Sequence, residues 1–144
     1  MAVNSCVFCE ILAGESPASM VYEDQRIAAF MDIQPVNPGH VLVVPRIHIA
    51  DLAGLQAGLA SELFRVSMRL ATAIRRTDLR CEGINLFLAD GRAAGQEVFH
   101  VHMHVIPRFS GDGFGFQFGP DYGRPTPRAA LDEVAHSIRQ AQGG

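Results

Sequence analysis

The sequence predicts an α+β fold with a largely antiparallel sheet, one main helix and a C-terminal helix. Segments with strand patterns do not alternate strictly with helical segments, as they would in a parallel α/β fold. The chain has 144 residues, of which 48% are hydrophobic and 19% charged, so it is long enough to bury a core. No repeat or low-complexity block divides it, and we expect a single domain over residues 1–144.

The first part of the chain predicts a short helix and three strands. In "VFCEILAG", apolar residues recur at helical spacing and stop at Gly14, which indicates one or two helical turns. "SMVYED" and "RIAAFMDI" are typical of two short strands joined by a turn. The Pro-Gly pair at 38–39 is a strong turn signal, and the aliphatic run at 41–44 predicts a buried strand.

The second part predicts the main helix, two strands and the last helix. Between residues 57 and 74, apolar residues recur at helical steps, at Leu59, Leu63, Val66, Leu70 and Ile74. "GINLFLADG" predicts another buried strand, and "HVHMHVIPR" alternates like a strand. A Gly-rich stretch then precedes a helix expected at 127–140. The aromatic residues of the tail are expected in the core or in a dimer contact, with part of a substrate wall as the alternative; they are Phe114, Phe116 and Phe118.

Charge and hydropathy exclude several kinds of partner. The net charge is −3 and all twelve basic residues are scattered arginines, so duplex nucleic acid is not expected as a ligand. No apolar run approaches the roughly 18 residues that span a bilayer, and the N-terminus lacks a signal-peptide pattern. Three cysteines are too few for a secreted disulfide framework. We therefore expect a cytoplasmic protein without membrane contacts.

Three histidines, His100, His102 and His104, occupy alternate positions of one predicted strand. Their side chains would line one face, while the residues between them would enter the core. Imidazole titrates near neutrality and is a competent nucleophile toward phosphorus. At about 3.3 Å per residue, His100 and His104 lie roughly 13 Å apart, too far to bind one zinc ion together. Ordinary hydrogen-bonded histidines and a cupin-like metal site remain as alternatives.

The N-terminal cysteines, Cys6 and Cys9, have the spacing of a zinc knuckle. A structural zinc site needs four ligands, so histidines would have to supply the others. The alternative is two ordinary thiols on a short helix. Cys81 is expected to be a small buried hydrophobic residue, and His136 to lie on the surface.

Four segments together resemble the histidine triad family of nucleotide hydrolases and transferases. "AGQEVFHVHMHVIPR" contains the family's His-x-His-x-His motif, and "CVFCEILAGE", "AFMDIQPVNPGHVLVVPRIH" and "GINLFLADGRAAGQ" precede or overlap it in the family's order. The resemblance covers roughly residues 5–110 and leaves 111–144 as a C-terminal tail. It implies a HIT-like fold, a purine nucleotide or nucleotide conjugate as ligand, and a homodimer.

The resemblance also implies a role for each matching residue. His102 would attack the α-phosphorus of a nucleotide conjugate and hold a covalent nucleotidyl intermediate, which water releases as the monophosphate. His104 and His40 would complete the catalytic cluster around the phosphate. The residues expected to contact the substrate are Asp32, Ile33, Gly95, Gln96 and Glu97. The alternatives are that Asp32 caps a turn, that His40 is a solvated strand end and that Gln96 holds the loop backbone.

The same resemblance implies a zinc site. In bacterial relatives, the pair that corresponds to Cys6 and Cys9 is joined by two histidines, which here are His48 and His100. His100 would then turn to the metal and leave the other two histidines of the motif for the phosphate.

Two departures from the family pattern concern the phosphate and the leaving group. Ala89 stands where many members carry an asparagine or glutamine, and Glu97 where several carry a serine or threonine. The resemblance implies an enzyme that hydrolyses purine nucleoside 5′-phosphoramidates or related nucleoside monophosphate conjugates. The alternatives are a dinucleoside polyphosphate hydrolase and a nucleotide-binding regulator with weak turnover.

Overall fold

The computed structural model describes residues 6–143, which contain three helices and five strands. The helices are α1 (Val7–Leu12), α2 (Ala57–Arg75) and α3 (Arg128–Gln142). The strands are β1 (Met20–Glu23), β2 (Ile27–Met31), β3 (Val41–Pro45), β4 (Gly83–Leu88) and β5 (Met103–Arg108). Single turns of 3₁₀ helix lie at Leu52–Gly54 and Arg92–Ala94. The chain divides into two compact units between Phe114 and Gly115.

The five strands form one antiparallel sheet in the order β1-β2-β3-β5-β4. This arrangement confirms the predicted α+β class with an antiparallel sheet. The β1–β2 hairpin turns at Asp24, whose carboxylate accepts hydrogen bonds from the N–H groups of Arg26 and Ile27 at 2.7 and 2.8 Å. β3 lies at the centre of the sheet and pairs Leu42 with His104 of β5.

The core has a layer on each face of the sheet. α2 covers one face, and its apolar residues at the predicted helical spacing are all buried. They pack against alternate strand residues such as Ile27, Val43 and Val105. On the other face, Phe30 and its neighbours pack with Phe8 of α1. Because both faces of β2 and β3 are covered, these strands are continuous apolar runs in the sequence.

β4 matches its prediction in position but not in burial. It lies at an edge of the sheet and pairs with β5 alone among the described strands. Asn85 is exposed, and the other residues of the strand are only partly buried. The expectation of a buried strand is wrong because Ile84, Leu86 and Leu88 pack only one face against the core. An edge strand of this kind gives the same apolar run as a central one.

The segment of the three histidines is also less regular than predicted. β5 begins at Met103, so His104 belongs to a strand, whereas His100 and His102 precede it. The segment leaves the sheet because the N–H of Val101 donates to the carbonyl of Ile49, 2.7 Å away, in a loop. His100 and His102 are buried and do not line an exposed face. The expectation that the intervening residues enter the core is confirmed for Val101.

In the second unit, α3 confirms the predicted C-terminal helix, and His136 is exposed on it as expected. The core expectation is wrong for the tail phenylalanines, because residues 115–126 contain no helix or strand that would bury them. Phe116 and Phe118 are 75% and 58% exposed, and Phe114 at the end of the first unit is 42% exposed. The single domain over 1–144 stays a prediction.

No helix within residues 6–143 has both the length and the apolar character required to cross a bilayer.

Candidate functional site

His102 lies directly before β5, and the backbone fixes its ring. Its Nδ1 is 2.8 Å from the carbonyl oxygen of His100. Because a carbonyl only accepts, Nδ1 carries the ring proton and Nε2 keeps its lone pair. Burial lowers the pKa of His102, against the opposing effects of that carbonyl and of the Asp32 charge. His102 is therefore a neutral imidazole with an unprotonated Nε2 at neutral pH.

His40 and His104 form a direct pair, with His40 Nε2 at 2.8 Å from His104 Nδ1. The backbone N–H of Val36 donates to His40 Nδ1 at 3.0 Å, so the His40 proton lies on Nε2, which donates to His104. His104 then carries its own proton on Nε2. Burial, followed by the neighbouring charges of His102 and His40, lowers the pKa of His104 to about 4. The ring centroids of His102 and His104 are 4.9 Å apart, so a nucleophilic nitrogen and an N–H donor lie on adjacent rings.

Asp32 follows β2 and contacts both the turn and the histidine pair. Its Oδ1 accepts from the N–H of Gln34 at 2.8 Å, and its Oδ2 lies 3.4 Å from His40 Nε2. Burial lowers the pKa of His40, although the Asp32 charge opposes this shift. The turn-capping contact is thus present, and the contact to a ribose stays a prediction. Ile33, the next residue, is 94% exposed, which leaves its side chain available to a ligand.

Gln96 holds together the loop that leads into the histidine segment. Its Oε1 accepts from the N–H of Gly91 at 2.8 Å. Its Nε2 donates to the carbonyls of Ala50 and Val98 at 2.7 and 3.2 Å. The side-chain amide is buried and fully engaged with the backbone, which favours the loop-holding alternative over a direct phosphate contact.

The remaining residues of this loop have distinct environments. Gly95 has a φ of 93°, a left-handed conformation that favours glycine, and Glu97 is exposed. Ala89 is buried and has no hydrogen-bonding side chain. The neighbouring Asp90 accepts from the N–H of Leu52 at 3.0 Å, so it ties the loop to a 3₁₀ turn.

The four residues implied as zinc ligands come together. Ligand atoms of Cys6, Cys9, His48 and His100 all lie within 4.8 Å of one another. Cys6 Sγ is 3.4 Å from His100 Nδ1, and Cys9 Sγ is 3.4 Å from His48 Nδ1 and 3.6 Å from His100 Nδ1. In a tetrahedral zinc site, sulfur and nitrogen ligands are about 3.5 Å apart. His100 Nε2 is 2.8 Å from the Pro45 carbonyl, so it carries the proton and leaves Nδ1 free to bind a metal. These residues fit a metal ion.

A second group of potential ligands does not fit a metal. Atoms of Asp32, His40 and His104 also lie within 4.8 Å of one another. However, His40 Nε2 carries a proton because Nδ1 accepts from Val36, so a metal would have to displace a proton from a neutral imidazole. The hydrogen bonds within this group account for its compactness.

Three residues of the site region were missed by the sequence interpretation. Phe8 of α1 packs edge-on against the rings of His100 and His102, with centroids at 5.8 and 5.1 Å. Asn37 and Asp112 are joined by a hydrogen bond of 2.8 Å beneath the turn that carries His40. The available signals were weak: an aromatic residue between two cysteines, and an aspartate between two glycines, which is typical of a structured turn.

Known proteins share both the sequence and the fold. The HIT domain model matches residues 13–111. A HIT family protein from Bacillus anthracis is 37% identical, with a TM-score of 0.86 over 96% of this chain and 97% of that chain. A zinc-bound histidine triad family protein from Mycobacterium smegmatis is 40% identical, with a TM-score of 0.74 over 92% of this chain and 97% of that chain. The Arabidopsis thaliana adenylylsulfatase HINT3 is 35% identical over 73% of this chain and 53% of its own length. The chain belongs to the HIT domain family.

Proposed function

We propose that this protein hydrolyses purine nucleoside 5′-phosphoramidates or related nucleoside monophosphate conjugates through a covalent intermediate on His102. The observation that carries this proposal is the bond from His102 Nδ1 to the His100 carbonyl, which leaves a neutral ring with a free Nε2 lone pair. Such a nitrogen is a nucleophile suited to phosphorus. HIT family members include hydrolases, such as the adenylylsulfatase named above.

In the first step, His102 Nε2 attacks the α-phosphorus. The bond from phosphorus to the leaving group breaks, and the leaving group departs with the electron pair and takes up a proton from solvent. The ring is then positively charged, and its Nδ1–H strengthens the hydrogen bond to the His100 carbonyl. This bond is already formed before the reaction, so the ring does not have to reorient.

In the second step, water attacks the same phosphorus and gives up a proton to solvent. The bond to Nε2 breaks, which returns the lone pair to His102 and releases the monophosphate. The N–H of His104 is the donor we assign to a non-bridging phosphate oxygen, because His40 occupies its other nitrogen. Gly95 and the backbone around Glu97 are proposed to contact the phosphate, since the Gln96 amide is engaged elsewhere.

The nucleoside end of the substrate would lie against Asp32 and Ile33. The exposed Ile33 side chain offers an apolar surface to a purine base. The second Asp32 oxygen, already 3.4 Å from His40, would accept a hydrogen bond from a ribose hydroxyl. This arrangement supports a nucleotide ligand. An adenylyl sulfate is one nucleotide conjugate within the proposed class, which the similarity to HINT3 favours.

We propose that the cysteine–histidine site binds a structural zinc ion through Cys6, Cys9, His48 and His100. The distances between ligand atoms and the similarity to a zinc-bound HIT protein support this proposal. Zinc would cross-link α1, the loop after β3 and the histidine segment, and its closed set of ligands supplies no position for a substrate. We further propose that the protein is a cytoplasmic homodimer and that residues 1–144 form one domain.

The proposed reaction is tested by incubating the protein separately with an adenosine phosphoramidate, adenylyl sulfate and diadenosine tetraphosphate, and measuring release of adenosine monophosphate. We expect the phosphoramidate or the sulfate to be cleaved fastest. The His102→Ala variant should lose at least ~10⁴-fold in kcat. His136→Ala, at an exposed histidine of α3, is the matched control and should retain full activity. If the protein binds these three compounds but releases monophosphate from none of them, a nucleotide-binding regulator with weak turnover would be favoured instead.

A further inference from the structure

We propose that Asp112 is a positioning residue that fixes the ring of His40, acting through Asn37. Asn37 and Asp112 lie 75 residues apart in sequence and are joined by a direct hydrogen bond. The effect on catalysis rests on the proposed function, whereas the effect on the His40 ring does not.

Asn37 anchors the turn that carries His40. It is 6% exposed, and its side-chain Nδ2 donates to the Pro107 carbonyl at 2.9 Å and to Asp112 Oδ2 at 2.8 Å. Both protons of the amide are therefore used to hold the turn against the end of β5. The N–H of His40 in turn donates to the Asn37 carbonyl at 3.1 Å. Asn37 thus bonds to β5 through its side chain and to His40 through its backbone.

The turn also fixes which ring nitrogen of His40 carries the proton. Val36, next to Asn37, supplies the N–H that reaches His40 Nδ1. Gly39 has a φ of 98° and packs so closely that an added Cβ would lie 2.8 Å from Leu79 and 3.0 Å from Pro107. A shift of the turn would therefore lengthen the Val36–His40 bond and weaken the preference for the Nε2 proton.

The Asp112 carboxylate is fixed by several hydrogen bonds. Its side chain is 2% exposed and receives Arg108 Nε at 2.7 Å on Oδ2 and Arg108 Nη2 at 2.8 Å on Oδ1. Longer bonds reach it from the N–H groups of Phe109 and Phe114, at 3.3 and 3.2 Å. A carboxylate that accepts this many bonds is a rigid acceptor for Asn37.

The competing interpretation is that this network only stabilises the end of β5. Arg108 offers a matched control for that effect, because its Nη1 also donates to Asn85 at 2.6 Å on the neighbouring strand. Asn85→Ala removes a bond from the same arginine and leaves Asn37 and Asp112 in place. A purely structural role predicts similar effects of Asn85→Ala and Asp112→Asn, whereas positioning predicts that only the latter changes His40.

The direct test is ¹⁵N NMR of the histidine rings at neutral pH, with His40 assigned by its loss in His40→Gln. In the unmodified protein we expect His40 Nδ1 to be unprotonated and Nε2 protonated. Asp112→Asn should move the ¹⁵N chemical shifts of both His40 ring nitrogens toward the average of the two tautomers. Asn85→Ala should leave these chemical shifts unchanged. On the fastest substrate, Asp112→Asn should lower kcat about tenfold with little change in KM, since misplacement of a catalytic group acts on the chemical step.

The proposal would be overturned if the ¹⁵N chemical shifts of the His40 ring were unchanged in Asp112→Asn. If that variant does not fold, Asn37→Ala, which keeps the Arg108–Asp112 pair, carries the same test. The tautomer measurement needs no substrate, so it also decides the matter if the protein cleaves none of the conjugates. If the protein cleaves none of the conjugates but Asp112→Asn still averages the His40 tautomers, the positioning role is supported and only the proposed reaction is rejected.

Discussion

The Nδ1–H of His102 donates to the backbone carbonyl of His100 across 2.8 Å. The ring Nδ1 of His100 lies near the sulfurs of Cys6 and Cys9. His100 therefore connects the proposed metal site, through its ring, to the proposed nucleophile, through its backbone carbonyl. Removing the metal ligands should then affect the nucleophile as well as the stability.

The cysteine pair should determine metal content. We expect about one zinc per chain in the unmodified protein and none in the Cys6→Ser, Cys9→Ser double variant, because two of four ligands are lost. The thermal midpoint of the variant should fall by about 10 °C, since binding energy at a structural site contributes to folding. Elemental analysis and thermal unfolding measure both effects. Cys81→Ser, at a partly buried cysteine outside the group, is the control, and undiminished zinc in the double variant would reject the site.

Phe8 should be a main determinant of stability near the site. It is 5% exposed and packs against Phe30, His100 and His102, so Phe8→Ala leaves a cavity beneath α1. We expect a loss of about 3–5 kcal/mol in the free energy of unfolding, measured by urea denaturation. Phe116→Ala, at a side chain that is 75% exposed, should change it by less than ~0.5 kcal/mol. A similar small effect at position 8 would contradict the described packing.

Stability should decrease in mild acid partly because of His104. Its pKa is lowered from 6.5 to about 4 by burial and by the facing His102 and His40, while the carboxylate of Asp32 opposes the shift. Between pH 6.5 and 4 the unfolded chain thus binds more protons than the folded one, so stability falls as pH falls. This histidine contributes at most ~1.4 kcal/mol per pH unit in that window.

The contribution of His104 can be isolated with His104→Gln, which does not titrate. Urea unfolding of both proteins at pH 6.5, 5.5 and 4.5 should show a smaller loss of stability for the variant. Loss of the proposed zinc ion in acid would lower the stability of both proteins equally, so it cancels in the comparison. Parallel curves for the two proteins would show that His104 does not titrate in this window.

Ile33 should affect substrate binding without affecting the fold. Because its side chain is 94% exposed, Ile33→Ala should change the free energy of unfolding by less than ~0.5 kcal/mol. Loss of an apolar contact with the base, worth about 1 kcal/mol, should raise KM for an adenosine conjugate about fivefold at unchanged kcat. Ile138→Ala, at an exposed residue of α3, should change neither KM nor kcat. An unchanged KM for Ile33→Ala would remove this residue from the proposed base contact.

Local patterns predicted most of the fold. The hairpin of β1 and β2, the central strand and the main helix were all identified, because periodicity and turn residues act over a few neighbouring positions. Burial was harder to predict, since the apolar run of β4 is compatible with both an edge and a centre position. The strand predicted for all three histidines was wrong because a long-range bond from Val101 to Ile49 sets where β5 begins.

The candidate site was predicted only in part by residue chemistry. The histidine spacing indicated that the rings have different duties, but the complete metal group came from resemblance, because His48 and His100 lie far from the cysteines in sequence. The glycines around Asp112 indicate a turn, but no local pattern indicates its bond to Asn37. Contacts of this kind depend on the finished topology, in which the turn before β3 meets the end of β5.

The most direct test of the proposed mechanism is mass spectrometry of the protein quenched during turnover of an adenosine conjugate. Cleavage after arginine yields a peptide of residues 93–108 that holds all three histidines of the motif, and fragmentation locates any adduct within it. The mechanism predicts an adenylyl group on His102 and none in His102→Ala. An adenylyl group on another residue, or steady turnover with no covalent adduct, would contradict it.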